Sequence, residues 1–155
     1  MENKRISWNK FFMEVAKLAA KRSRDPNTQV GCCITKKNKI VSTGYNGMPR
    51  TCDDKNLPWS REGKWLDTKY PYVVHAELNA ILNSTPKDLT DCKLYVTLYP
   101  CCECAKAILQ SGIKEVYYLE NKHPNEDTFI ASKKLFELSG VKIIKYKPLE
   151  EGKHE

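Results

Sequence analysis

The sequence has no long hydrophobic segment. Across its 155 residues, no apolar run approaches the roughly 20 residues that a membrane-spanning helix requires. The first residues also contain no apolar stretch of the kind that secretion signals carry. Internal repeats and low-complexity linkers are lacking as well. We therefore expect no membrane partner and a single domain over residues 1–155, with its core at about 7–147.

The sequence also lacks a usable disulfide framework. Its 7 cysteines are an odd number, and they include the adjacent pairs Cys32–Cys33 and Cys101–Cys102. Unpaired thiols are typical of a reducing compartment. The composition therefore predicts a cytoplasmic protein. Cys52 has no convincing histidine partners nearby for a metal site, so we expect it to be a free thiol.

Acidic residues are too few to balance the basic ones, and the formal net charge is +7. A basic surface can hold nucleic acid, or it can attract a small anionic substrate. The lysines and arginines are scattered along the chain and are not interleaved with aromatic residues, as they are in single-strand binding grooves. The charge alone does not decide between these interpretations and that of ordinary solvated lysines.

The sequence does contain a split metal-binding pattern. His75 and Glu77 are followed, after a gap of 22 residues, by Pro100, Cys101 and, three further on, Cys104. One histidine and two cysteines supply three ligands for Zn²⁺ and leave a fourth position for water, as in catalytic zinc sites. Glu77 is near enough to move protons without binding the metal. The pattern predicts a zinc-dependent hydrolase or deaminase, and its order is that of nucleobase deaminases; a redox dithiol is the alternative for the cysteine pair.

Hydrophobic periodicity predicts four helices and five strands. We expect helices at about 7–23, 74–82, 101–111 and 128–139, and strands at about 30–35, 40–44, 93–98, 116–119 and 141–146. Strands and helices alternate in the later half, which favours a mostly parallel sheet covered by helices, with an antiparallel hairpin at its start. The fold class is therefore α/β, with a five-stranded mixed sheet.

Two local expectations go with this assignment. The first helix should begin after a Ser7 cap and bury the residues that recur at helical spacing, namely Phe11, Phe12, Val15, Leu18 and Ala19. Residues 51–71 have few periodic apolar positions, which predicts a long surface excursion.

The predicted helices place the metal-binding pattern at two helix amino termini. His75 and Glu77 fall at the start of the second helix, and Cys101 and Cys104 at the start of the third. The partial positive charge of a helix amino terminus favours thiolates. Two helices that leave neighbouring strand ends would converge on one ion, where open α/β sheets commonly bind ligands.

Several segments outside the metal-binding pattern are also informative. They are DPNTQVG at 25–31, GYNGMP at 44–49, LPW at 57–59, KYPYVVHAELNAI at 69–81, YPCCECAK at 99–106 and QSGIKEV at 110–116. With these segments the chain resembles the deoxycytidylate (dCMP) deaminase family, within the cytidine deaminase-like superfamily, over roughly residues 7–147. The resemblance implies a three-layer α-β-α sandwich and hydrolysis of dCMP to dUMP and ammonia, which supplies dUMP for thymidylate synthesis.

The resemblance also implies a set of site residues. Zinc would be bound by His75, Cys101 and Cys104, and Glu77 would be the proton shuttle. The family's sugar-contacting asparagine corresponds to Asn46. Ala76 would join it in substrate binding, and Arg24 is placed to reach the 5′-phosphate.

Regulation and assembly are implied by the resemblance as well. Family members often bind dCTP with Mg²⁺ as activator and dTTP as inhibitor at a second site, whose loop corresponds here to a segment with Gly47 and Arg50. Relatives usually have small residues or glycine after Pro49, whereas this chain has Arg50-Thr51-Cys52. Some viral relatives accept dCTP as a substrate, and a homo-hexamer is common in the family.

Three alternatives share parts of the pattern. A polynucleotide deaminase acting on tRNA or single-stranded DNA has the same zinc signature but needs a basic, aromatic path for the strand, which favours a mononucleotide substrate here. A deaminase of free cytidine or of riboflavin precursors would need no phosphate contact. A non-catalytic zinc-stabilised interaction domain would have no use for Glu77.

Overall fold

The computed structural model describes residues 3–52 and 54–148. The helices are α1 (Trp8–Ala20), α2 (Ala76–Asn83), α3 (Cys102–Ser111) and α4 (Asp127–Ser139), and the strands are β1 (Gly31–Lys36), β2 (Lys39–Tyr45), β3 (Lys93–Leu98), β4 (Glu115–Glu120) and β5 (Lys142–Lys145). The predicted elements are confirmed in their predicted order. In the part of the chain that the structure describes, no helix has both the length and the apolar character needed to cross a membrane.

The five strands form one mixed sheet in the order β2-β1-β3-β4-β5. β1 is antiparallel to both β2 and β3, while β3, β4 and β5 run parallel. The hairpin between β1 and β2 turns through Lys37 and Asn38, which both have positive φ, as the common two-residue hairpin turns require. The predictions of a five-stranded mixed sheet, an antiparallel hairpin at its start and parallel strands in the later half are confirmed; β1 is in addition antiparallel to β3.

Helices cover both faces of this sheet. Successive strand residues point to opposite faces, so Cys33 and Tyr95 pack against Phe12 and Met13 of α1 on one side. On the other side the sheet packs against α2, α3 and α4 in a second cluster, whose buried members include Cys32, Ile34, Ala80, Leu94, Val96, Ile108, Val116 and Phe136. The fold is the expected three-layer α-β-α sandwich.

The buried face of α1 differs from the expected one. Ser7 caps the helix as predicted, since its hydroxyl accepts a hydrogen bond from Lys10 N. The buried residues, however, are Phe12, Met13, Ala16 and Ala20, while Phe11 is 39% and Leu18 67% exposed. The expectation that Phe11 and Leu18 are buried was wrong.

The close approach of α1 to β1 explains this choice of face. A Cβ on Gly31 would lie 1.8 Å from the carbonyl oxygen of Ala16 and 2.5 Å from Ala20 N. Only small residues fit at such a crossing, so the two alanines face the sheet and the larger side chains turn away. Periodicity counts apolar residues but does not record how near two backbones come.

The described residues of the predicted excursion, 51–52 and 54–71, contain a 3-10 turn at Trp65–Asp67. The prediction of a surface segment holds for most of its length. At its end, however, Thr68 and Lys69 are buried, so the segment returns to the body of the protein just before α2.

The contact between Gly31 and α1 provides a test of the packing. We expect Gly31→Ala to lower the free energy of unfolding by about 1–3 kcal/mol, because the added methyl group meets backbone atoms that cannot rotate away. Thermal unfolding measures the effect. Gly47→Ala is the matched control, since a Cβ there would meet nothing within 4 Å. Equal melting temperatures for the two variants would contradict the packing described.

Candidate active site

The residues of the metal-binding pattern lie at the amino termini of α2 and α3. His75 is the cap residue of α2 and Cys101 that of α3, and neither side chain makes a capping hydrogen bond to its own helix. Glu77 lies in the first turn of α2, and Cys104 in the first turn of α3. The predicted placement at two helix starts is confirmed.

The three candidate ligands converge on one point. His75 Nδ1 lies 3.4 Å from Cys101 Sγ and 3.5 Å from Cys104 Sγ. All three ligand atoms are within 4.8 Å of one another, and no other group of this kind occurs among the described residues. The hydrogen bond with Cys104, and after it that with His75, lowers the pKa of Cys101 well below its usual range. One imidazole nitrogen and two sulfurs, one of them favoured as thiolate, fit Zn²⁺.

Glu77 lies beside this cluster and is almost fully buried. Burial raises the pKa of its carboxyl group to about 7, with the charge of His75 acting in the opposite direction. A carboxyl group that titrates near neutral pH can both accept and donate a proton. The geometry therefore provides three candidate ligands and one carboxyl group that can exchange a proton.

These residues open into a cavity of about 480 Å³, which suits a ligand of nucleotide size. His75, Glu77 and Cys101 lie in its lining together with Ala76 and Asn46. The excursion of residues 51–71 supplies Arg61, Lys69 and Tyr70 to the lining, and the later part of the chain supplies Tyr99, Lys122, His123, Thr128 and Phe129 among others.

Asn46 has a fixed orientation in this cavity. Its Oδ1 accepts a hydrogen bond of 2.8 Å from Val30 N, and its Nδ2 donates one of 2.9 Å to the carbonyl oxygen of Thr28. The next residue, Gly47, forms an isolated bridge to Val74, directly before His75. The amide of Asn46 is therefore built into the same wall as the metal ligand.

The structure does not bring every expected site residue to the cavity. Arg24 is exposed, and its Nη1 lies 3.2 Å from Asp54 Oδ2, outside the cavity lining. Arg50 is exposed as well. Thr51 has a φ of 70°, a left-handed conformation that glycine adopts more readily than threonine. Cys52 is an exposed free thiol, as predicted.

Sequence reasoning missed several cavity residues. Lys122 and His123 follow β4, and the rule that ligands bind at the carboxyl ends of parallel strands could have identified them. Lys69 was noted only as part of a family-like segment. Its partner Asp25 lies 44 residues away, and no local pattern connects the two.

An α/β sandwich that joins one histidine, two cysteines and a buried glutamate at two helix starts defines the class of zinc-dependent deaminases. The family model for the cytidine and deoxycytidylate deaminase zinc-binding region matches residues 6–120. The chain therefore belongs to the cytidine and deoxycytidylate deaminase family.

Individual relatives agree with this assignment. The chain is 53% identical to deoxycytidylate deaminase of Homo sapiens over 146 residues, which cover 92% of this chain and 82% of that protein. It is 38% identical to ComE operon protein 2 of Bacillus subtilis, over 90% of this chain and 71% of that protein. The crystal structure of dCMP deaminase from cyanophage S-TIM5 in complex with dCMP and dUMP is similar with a TM-score of 0.69, at 26% identity, over 88% of this chain and 95% of that one.

The metal site makes a prediction about zinc content. We expect the wild-type protein to carry about one zinc per chain and His75→Ala to lose it, because two thiolates alone leave the site incomplete. Elemental analysis of the purified proteins measures this. His123→Ala is the control, since His123 lies in the cavity lining but outside the ligand cluster. Stoichiometric zinc in His75→Ala would rule out the proposed ligand set.

Proposed function

We propose that this protein removes the 4-amino group of dCMP by hydrolysis to give dUMP and ammonia, and so supplies dUMP for thymidylate synthesis. The observation that carries the proposal is the convergence of His75, Cys101, Cys104 and the buried Glu77 on one nucleotide-sized cavity. Relatives that bear the name deoxycytidylate deaminase, at 53% identity, support dCMP as the substrate.

The chemistry is divided between a metal and one carboxyl group. Zn²⁺ held by His75, Cys101 and Cys104 would lower the pKa of a water molecule towards about 7. Glu77 accepts a proton from the attacking water and donates it to N3 of the cytosine ring while C4 is attacked. The same carboxyl group then takes the proton of the new C4 hydroxyl group and delivers it to the 4-amino nitrogen, so that the C4–N bond breaks, ammonia leaves and C4 becomes the carbonyl of dUMP. Because both transfers need one group that gains and loses a proton, a pKa of about 7 for Glu77 suits the task.

The remaining cavity residues hold the nucleotide in this proposal. Asn46 contacts the sugar, with Ala76 beside the ring. Arg61 and Lys122 line the cavity and are candidates for the 5′-phosphate. Arg24, the candidate from the sequence, would have to leave Asp54 to reach it.

Regulation is a further part of the proposal. dCTP with Mg²⁺ would activate and dTTP would inhibit by binding near the loop of Gly47 and Arg50. The two hydrogen bonds between Gly47 and Val74, of 3.0 and 2.8 Å, support this, because they connect the loop to the residue before His75. Steady-state rates with each triphosphate measure the response, and they also show whether dCTP is itself a substrate.

Assembly and location complete the proposal. A homo-hexamer would cover apolar side chains that are exposed in the single chain, among them Trp8 and Leu18 of α1. Light scattering of the purified protein measures its size. Seven free thiols support a reducing compartment such as the cytoplasm.

A substrate panel tests the proposed function. Turnover of dCMP should exceed that of cytidine, because only the nucleotide carries a phosphate, and a single-stranded oligonucleotide should not be deaminated. Conversion of the cytosine base to a uracil base is followed spectrophotometrically. Preference for free cytidine, or for the oligonucleotide, would contradict the proposal and favour the corresponding alternative.

The role of Glu77 has its own test. We expect Glu77→Gln to retain zinc and to lose at least about 10²-fold in kcat, because the amide cannot carry protons. The matched control is Glu103→Gln, a carboxylate in the same cavity lining that is exposed and paired with Lys106. A Glu77→Gln enzyme as active as this control would disprove the assignment.

Asn46 is tested by its effect on substrate binding. Asn46→Ala should raise KM for dCMP by about 10-fold or more, because it removes a buried hydrogen-bonding group from the cavity wall. Initial rates over a range of dCMP concentrations measure it. Asn56→Ala, at an exposed position, is the control; equal KM values in the two variants would exclude a role for Asn46 in binding.

A further inference from the structure

One ion pair among the residues that the structure describes is buried. Lys69 Nζ lies 2.5 Å from Asp25 Oδ2, and the two side chains are only 10% and 0% exposed. Among the ion pairs of the described residues, every other one has a partner side chain that is more than a third exposed. A buried pair generally stabilises a fold no better than apolar residues of the same size, so its presence calls for a role other than stability.

The two oxygens of Asp25 have separate partners. Oδ1 accepts hydrogen bonds from Asn27 N at 2.8 Å and Thr28 N at 3.1 Å, which shapes the loop between α1 and β1. Oδ2 faces Lys69 Nζ and, at 3.5 Å, Asn46 Nδ2. The carboxylate thus joins the loop that follows α1 to both Asn46 and Lys69.

Lys69 connects this carboxylate to the metal ligand. Its carbonyl oxygen accepts hydrogen bonds from Tyr72 N and Val73 N, and the segment then passes through Val74 to His75. Val74 is bonded back to Gly47, the neighbour of Asn46. The contacts therefore form a closed ring through Asp25, Lys69, Val74, Gly47 and Asn46, and His75 follows Val74 directly along the chain.

We propose that Asp25 and Lys69 are positioning residues, which set the distance between Asn46 and His75 and thereby fit the cavity to the sugar of the substrate. The inference rests on the proposed function, because it assigns Asn46 to the sugar and His75 to the metal. Lys69 itself lies in the cavity lining, so displacement of its side chain also alters the wall directly.

Three variants separate positioning from stability. Asp25→Asn keeps an oxygen for Asn27 N and Thr28 N but leaves the ammonium of Lys69 buried without a counter-charge. Lys69→Met leaves the carboxylate unpaired. The double variant leaves neither charge unpaired, so its melting temperature should recover relative to both single variants.

The kinetic result distinguishes the two roles. A positioning pair predicts that KM for dCMP rises about 10-fold or more in all three variants, with kcat per bound zinc within about 3-fold of wild type, because binding to the sugar is lost equally in ground and transition states. Lys69→Arg should keep KM near the wild-type value, since it retains a charged donor.

A pair with only a structural role predicts another pattern. The single variants would then give less folded, active enzyme with a KM for dCMP close to that of the wild type. The double variant would recover stability and would also have a wild-type KM. That result would overturn the inference. If a single variant fails to fold, the KM of the double variant distinguishes the two roles.

A second pair serves as the control. Lys93 and Glu115 form a partly buried bridge of 3.6 Å outside the cavity lining, and Lys93→Met with Glu115→Gln should leave KM unchanged. The ratios of KM are measured on whichever pyrimidine nucleotide the wild-type protein converts. Absence of dCMP turnover in the wild type would contradict the proposed function, whereas unchanged ratios would contradict the positioning role.

Discussion

The site depends on holding one imidazole nitrogen and two sulfurs within 4.8 Å of one another beside a buried carboxyl group. Such a cluster is unfavourable by itself, because thiolates and a carboxylate lose hydration when they are buried. Two effects offset this cost. The helix amino termini place partial positive charge at the ligands, and a divalent cation bound to them would neutralise the thiolates.

The rest of the fold serves to bring those two helix starts together. β1 lies in the interior of the sheet because it pairs with both β2 and β3, and α2 packs closely on β2, where a Cβ on Gly44 would lie 2.4 Å from the carbonyl oxygen of Ala76. α3 begins directly after β3. The two helices are thus fixed relative to one sheet, and their amino termini carry the candidate ligands.

The sequence was sufficient for those parts of the site that depend on local signals. Helix starts, strand periodicity and the spacing of Cys101 and Cys104 are all visible over a few residues, so the order of elements and the metal cluster could be predicted. The face that α1 buries could not, because it follows from how closely Gly31 approaches Ala16. The ion pair of Asp25 and Lys69 joins residues 44 apart, a contact that only the assembled fold creates.

The central claim is that a metal is bound by three protein ligands and keeps one position for water. X-ray absorption spectroscopy at the zinc edge of the purified protein tests it directly. The account predicts two sulfur neighbours at about 2.3 Å and two nitrogen or oxygen neighbours at about 2.0–2.1 Å, one of which exchanges with solvent or substrate. A shell of three or four sulfurs, or a fourth ligand from the protein that no substrate displaces, would contradict it.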